Sequence, residues 1–209
     1  MDNMTTKNIT KILTLGLIII AATMSGCVDS DNIGERPSTV TTTPGTSASV
    51  SDVGTYLNPV VLNNMLISDT GIFGIGIGKI SRGEGFNNYI KNENMFNGDP
   101  KPRYEYMGVL ISFTYVGEDQ YMLSGYDFKA YANDVECNSV FVVTPDEFTE
   151  MEMTTNIMPG GTIAAWKIFE VPIDTQVTLS YERMFDKAYY LDCGSDNFVA
   201  DLNKLVANI

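Results

Sequence analysis

Residues 161–172 constrain this chain more than any other stretch. Pro159, Gly160 and Gly161 before it suit a tight turn: proline presets its own φ, and glycine accepts the positive φ that such turns need. Strand-forming residues follow, and Pro172 ends them because it cannot donate to a ladder. Period two puts Ile163, Ala165, Phe169 and Val171 on one face, and Ala164, Trp166 and Ile168 on the other. Both faces are apolar, so the strand belongs inside a layered β domain. Lys167 interrupts the pattern and reads as a bulge.

The rest of the chain supplies strands to pack against it. Residues 71–80 alternate strictly, with Phe73, Ile75 and Ile77 against Gly74, Gly76 and Gly78. Residues 104–116 set Met107, Val109, Ile111, Phe113 and Tyr115 inward. Further strands are expected over 58–67 (an edge), 121–132, 135–143, 148–156, 177–181 and 188–192. Asn133-Asp134 makes a hairpin turn. Phe86, Tyr89 and Ile90 have helical spacing, predicting one short helix over 86–95. Ser195 reads as the cap of a second helical run through Phe198, Leu202, Leu205, Val206 and Ile209. About eight or nine strands at turn intervals of about ten residues predict an all-β, two-sheet sandwich.

The first 27 residues read as a targeting segment. Lys7 and Lys11 precede an apolar run over 12–22, which is shorter than the ~20 residues that a spanning helix needs. Met24-Ser25-Gly26-Cys27 follows and resembles the lipobox of prokaryotic lipoproteins. That resemblance implies a lipid on Cys27, which would become the first mature residue, and a place on the outer face of the cytoplasmic membrane. Residues 28–52 are rich in Thr, Ser, Pro and Gly and cannot bury enough apolar surface to offset chain entropy. They are expected to be a disordered spacer. The sandwich is expected over 53–193, with 194–209 as a tail.

Charge and composition remove several functions. The formal net charge is −13. The first 27 residues hold two of the 13 basic and one of the 26 acidic residues, leaving 11 and 25, a net of −14. Such a surface repels phosphate backbones, which argues against a nucleic-acid partner. The chain has no histidine, so Ser-His-Asp and Cys-His catalysis and His-type zinc sites are excluded. Gly78-Lys79 is not a phosphate loop: Phe73 and Ile80 stand where a glycine and a hydroxyl residue are required. Met151, Met153 and Met158 lack the His or spare Cys of a copper site and read as packing. Glu118-Asp119, Asp134 with Glu136, Asp146-Glu147 and Asp192 with Asp196 lack the twelve-residue calcium pattern and read as solvated turns. No cofactor or metal site is expected.

Once Cys27 carries lipid, Cys137 and Cys193 remain. In an oxidising compartment two thiols point to a disulfide, with two buried free thiols as the alternative.

Several blocks occur in order: Arg82-Gly83-Glu84, Ile90-Lys91, Asn94-x-Phe96-Asn97, Pro100-x-Pro102-x-x-Glu105-Tyr106, Pro159-Gly160 and Phe169-Glu170-Val171-Pro172. Together they resemble the domain of unknown function 4352, found on secreted and lipid-anchored prokaryotic proteins. The resemblance covers roughly residues 60–185 and implies an immunoglobulin-like sandwich outside the cytoplasm. It carries no catalytic residues. The expected function is a non-enzymatic interaction or structural module that meets another envelope protein or a surface polymer. The alternative is a receptor domain for a small solute or cation. A carboxylate hydrolase ranks third and would need a matched acid pair in a cleft.

Overall fold

The computed structural model describes residues 53–200; the targeting segment with Cys27, and the spacer up to residue 52, lie outside the described residues. Eleven strands and one α-helix are present among the described residues. In chain order they are β1 (Leu66–Ile67), β2 (Phe73–Arg82), α1 (Glu84–Glu93), β3 (Tyr104–Tyr115), β4 (Tyr121–Ser124), β5 (Phe128–Ala132), β6 (Val135–Ser139), β7 (Thr154–Ile157), β8 (Thr162–Pro172), β9 (Val177–Tyr181), β10 (Tyr189–Gly194) and β11 (Phe198–Val199). Among the described residues no helix is long and apolar enough to cross a membrane.

The strands run β1-β2-β3-β8-β6-β5-β9-β10, and every ladder pairing is antiparallel. Naming β2, β3, β5, β6, β8, β9 and β10 as A to G gives A-B-E-D against C-F-G, the immunoglobulin order. β6 joins the two sheets: Ala130↔Cys137 ties it to β5, and Asn138↔Glu170 ties it to β8. β4 and β7 pair separately. Asn133 and Asp134 both have positive φ (50° and 63°), as a two-residue hairpin turn requires.

The core lies between the sheets and contains Phe73, Ile75 and Ile77 of β2, every inward residue expected on β3, and Val177, Leu179 and Tyr181 of β9. A bulge at Gly78 changes the parity of β2. The register steps from Ile77↔Ile111 to Lys79↔Leu110, so Ile77 and Ile80 both face inward. Arg82 follows Ile80 onto the core side. A smaller apolar cluster covers the outer face of the β3–β8 pair. There Phe86 and Ile90 of α1 pack on Tyr106 and Ile168. Gly108 makes this approach feasible: a Cβ there would stand 2.7 Å from the Phe86 ring. Gly83, at φ 93°, makes the sharp junction between β2 and α1. Both clusters fall within one compact unit of the chain, so a chain beginning at Ser47 carries every packing contact described for the fold.

Four expectations need correction. The helical tail does not form at its start, because Phe198 and Val199 pair with Ile80 and Lys79 as β11; residues 201–209 lie outside the described residues. The edge strand over 58–67 shrinks to Leu66–Ile67, with Val60 bridging alone to Leu191. Lys167 makes no bulge, since β3 and β8 pair without a register shift from Tyr104↔Pro172 to Thr114↔Thr162. The expected Cys137–Cys193 disulfide is not formed, and both thiols are free.

The reason for the last is the strand order. Cys137 lies on β6 and Cys193 on β10, with β5 and β9 between them. Three strand spacings put the cysteines roughly 14 Å apart, twice the ~7 Å Cα limit for a disulfide. Burial pushes the Cys193 thiol up to about 12 and raises that of half-buried Cys137 as well. In a Cys27→Ser chain, a maleimide reagent is expected to modify Cys137 slowly and Cys193 only after unfolding. Peptide mass spectrometry reads this directly, and recovery of a linked Cys137–Cys193 peptide would reverse the correction.

Candidate functional site

An open groove of about 750 Å³ lies on the outer side of the first sheet, beside α1. The Gly78 bulge that turns Arg82 inward leaves Lys79 and Ser81 among its lining residues. The N-terminal part of α1 brings Glu84, Phe86 and Tyr89, and the connection from β6 to β7 brings Glu147 and Phe148. Trp166 of β8 and Asn197, just before β11, complete the lining.

Aromatic rings form a row through this groove. Phe148 lies 4.4 Å from Trp166, 5.9 Å from Tyr89 and 6.2 Å from Phe86, centroid to centroid. Lys79 Nζ sits 5.7 Å from the Trp166 ring, a cation–π distance. The Tyr89 hydroxyl donates to Glu147 Oε1 and pins the β6–β7 connection to the helix. That bond holds the Glu147 carboxyl below its usual range and raises the Tyr89 phenol to about 12. The Asn197 Oδ1 accepts from the Arg82 backbone N–H at 2.7 Å, closing the groove near β11.

The groove can present flat apolar faces, charges of both signs and hydrogen-bonding groups to a ligand open to water on one side. It contains two carboxylates, Glu84 and Glu147. A glycosidase-type general acid needs a carboxyl held above its ordinary range by apolar burial. Both of these side chains are exposed, and Glu147 moves in the opposite direction.

The motif residues of the family resemblance serve the framework. Arg82 and Glu105 form a buried pair, with Nε to Oε1 at 2.7 Å and Nη2 to Oε1 at 2.6 Å. The remaining Arg82 donors reach the carbonyls of Thr175, Pro172 and Gly194 at one end of the sandwich. Buried Asn97 donates to the Ile90 and Val143 carbonyls and accepts from the Val143 N–H, joining α1 to the β6–β7 connection. Tyr106 donates to the Gly98 carbonyl. Burial pushes the Glu170 carboxyl up, but the ammonium and backbone N–H of Lys101 outweigh it and hold Glu170 low.

Of the other sequence candidates, Cys27 lies outside the described residues, and Cys137 and Cys193 belong to the sandwich core. Met153 accepts from the Tyr126 hydroxyl at 3.0 Å, and Met151 packs against the core. Among the described residues no cluster of three metal-ligating His, Cys, Asp or Glu side chains occurs. Sequence reading assigned no site role to Lys79, Glu84, Tyr89, Glu147, Phe148 or Trp166. The one available signal was Trp166, the only tryptophan.

No family model matches the chain, and no curated protein matches it. Among solved structures it is similar to ycdA of Bacillus subtilis, a candidate lipoprotein, at 15% identity over 69% of this chain and 41% of that one, with a TM-score of 0.47. It is similar to the yjhA protein of Bacillus subtilis at 14% identity over 64% of this chain and 98% of that one, with a TM-score of 0.46. A third likeness is an uncharacterised β-sandwich protein of Clostridium difficile 630, at 16% identity over 65% and 95%, with a TM-score of 0.37. The chain spans less than half the length of ycdA.

Proposed function

We propose that this protein is a lipid-anchored, extracytoplasmic recognition module that performs no chemistry on its ligand. The supporting observation is the groove beside α1, where an aromatic row and charges of both signs are mounted on strands, a helix and the β6–β7 connection that Tyr89 and Asn97 tie to that helix. Rigid mounting favours recognition, because little side-chain freedom is lost when a ligand docks. The anchor is the lipid on Cys27, and residues 28–52 give the domain reach from the outer face of the cytoplasmic membrane. The ligand is an envelope protein or a surface polymer with flat faces to lay on Tyr89 and Phe148. Membership of the domain of unknown function 4352 family belongs to this proposal and rests on the motif residues alone.

The test has two arms. Wild type and Cys27→Ala are expressed and fractionated, and lipid is sought by mass spectrometry; the variant is expected in the soluble fraction without lipid. A variant as membrane-bound as wild type would refute the anchor. In the second arm, chains from Ser47 are incubated with isolated host envelope. Tyr89→Ala is expected to weaken retention about tenfold, corresponding to the ~1–2 kcal/mol of an aromatic contact residue. Release of cleaved envelope fragments that Glu84→Gln or Glu147→Gln abolishes would replace the recognition reading with a hydrolase.

A further inference from the structure

A second crevice, of about 240 Å³ and also lined by Trp166, opens between β8, the end of β6 and the segments flanking β5 and β7. Lys167 lies among its lining residues. Because β8 has no bulge, Lys167 is in register with Val109 and shares the face of Phe169, which is a core residue. This lysine therefore extends from the core-facing side of an inner strand. Its ammonium donates to the Gly125 carbonyl and stands 5.9 Å from the Tyr126 ring and 5.8 Å from the Phe169 ring.

Among the described residues, no carboxylate forms an ion pair with Lys167. An ammonium has three donors, and among the described residues it finds one acceptor. A largely buried cation without a counter-ion is costly, and burial lowers the Lys167 pKa accordingly. Asp127 acts on it only at longer range. The crevice mouth has the opposite character. Phe141, Met153 and Tyr126 are 85%, 62% and 59% exposed, three large apolar side chains around one small opening. Glu150 is also on the lining, exposed and bonded to Thr144, so a second negative charge at the rim would be repelled.

We infer that this crevice binds a small amphiphilic monocarboxylate, with the carboxylate on Lys167 and an apolar body covered by Phe141, Met153 and Tyr126. The carboxylate supplies the absent counter-charge in a site shielded from water, where a charge-assisted bond is strongest. The apolar body buries surface that the fold leaves open. The volume lies below the ~300–1,000 Å³ of drug-sized sites, which limits the body to a short chain or a single ring. This site is separate from the groove beside α1, although Trp166 lines both.

Trp166, the only tryptophan, provides the readout. A chain from Ser47 is titrated with sodium octanoate while Trp166 fluorescence is followed, with octan-1-ol and octyltrimethylammonium in parallel. Octanoate is expected to saturate, and both controls to bind at least tenfold more weakly. Lys167→Met is expected to bring octanoate down to the level of octanol, while Lys167→Arg retains binding. Phe141→Ser, at an exposed position that leaves the core untouched, is expected to weaken octanoate several-fold and reads the site even if Lys167→Met does not fold. Tyr89→Ala is expected to change nothing. The inference is overturned by an absence of saturation, by octanol binding as tightly as octanoate, or by a folded Lys167→Met or a Phe141→Ser that binds octanoate like wild type. Loss of the response in Tyr89→Ala would move the ligand to the groove and would equally overturn it.

Discussion

Arg82→Met is expected to lower the stability of the domain by about 3–5 kcal/mol, the usual loss when one partner of a buried ion pair is removed. The side chains of Arg82 and Glu105 are only 3% and 7% exposed. Removing the guanidinium leaves the Glu105 carboxylate buried without its partner, and it strips donors from the carbonyls of Thr175, Pro172 and Gly194. Those carbonyls come from the β8–β9 turn, the end of β8 and the end of β10, so one side chain ties three strand ends together. Total stabilities of single domains are about 5–15 kcal/mol, so the variant would sit near the edge of folding. Urea unfolding followed by Trp166 fluorescence measures the loss. Replacing both partners with apolar residues is expected to recover a large part of it, because no buried charge is then stranded. A midpoint within experimental error of wild type for Arg82→Met alone would show that the pair is dispensable.

Phe113→Ala is expected to cost about 3–5 kcal/mol, the range for truncating a fully buried phenylalanine. Phe113 is fully buried and central to the aromatic cluster between the sheets. Its ring lies 5.3 Å from Phe73, 5.5 Å from Tyr121 and 5.8 Å from Tyr181. Tyr121 and Tyr181 share a buried hydroxyl–hydroxyl bond of 2.6 Å, which restricts how far they can move to fill the space. A void lined by rings held in this way collapses poorly, which places the loss toward the upper part of the range. The same urea experiment reads it. A loss below about 1 kcal/mol would mean that the two sheets close over the gap.

The aromatic groove and the Lys167 crevice follow different physics, and their variants separate accordingly. Tyr89 is half exposed and reports on surface recognition, whereas Lys167 reports on a charge held against the core. Neither site was legible in the chain. Tyr89 and Glu147 are separated by 58 positions, and nothing local links them. Lys167 looked like a break in a strand because a charge among apolar residues is most simply placed at a bulge.

What the residues alone determined was local and periodic. Alternation with period two is a property of the extended backbone, so the inward face of residues 104–115 could be read directly. The Asn133-Asp134 turn and the helix carrying Phe86 and Ile90 were legible for the same reason: each is settled within a few neighbouring residues. The absence of histidine and the order of apolar run, small residues and Cys27 likewise need no fold to be read. The tertiary structure decided everything that depends on which strand lies beside which. One extra residue at Gly78 put Arg82 on the core side, a change of parity that only the partner strand reveals. Placing β5 and β9 between β6 and β10 kept Cys137 and Cys193 apart, although composition favoured joining them. Pairing with β2 made Phe198 and Val199 a strand although their spacing suits a helix, because ladder bonds to a strand already in place outweigh the weak helical preference of a short terminal segment.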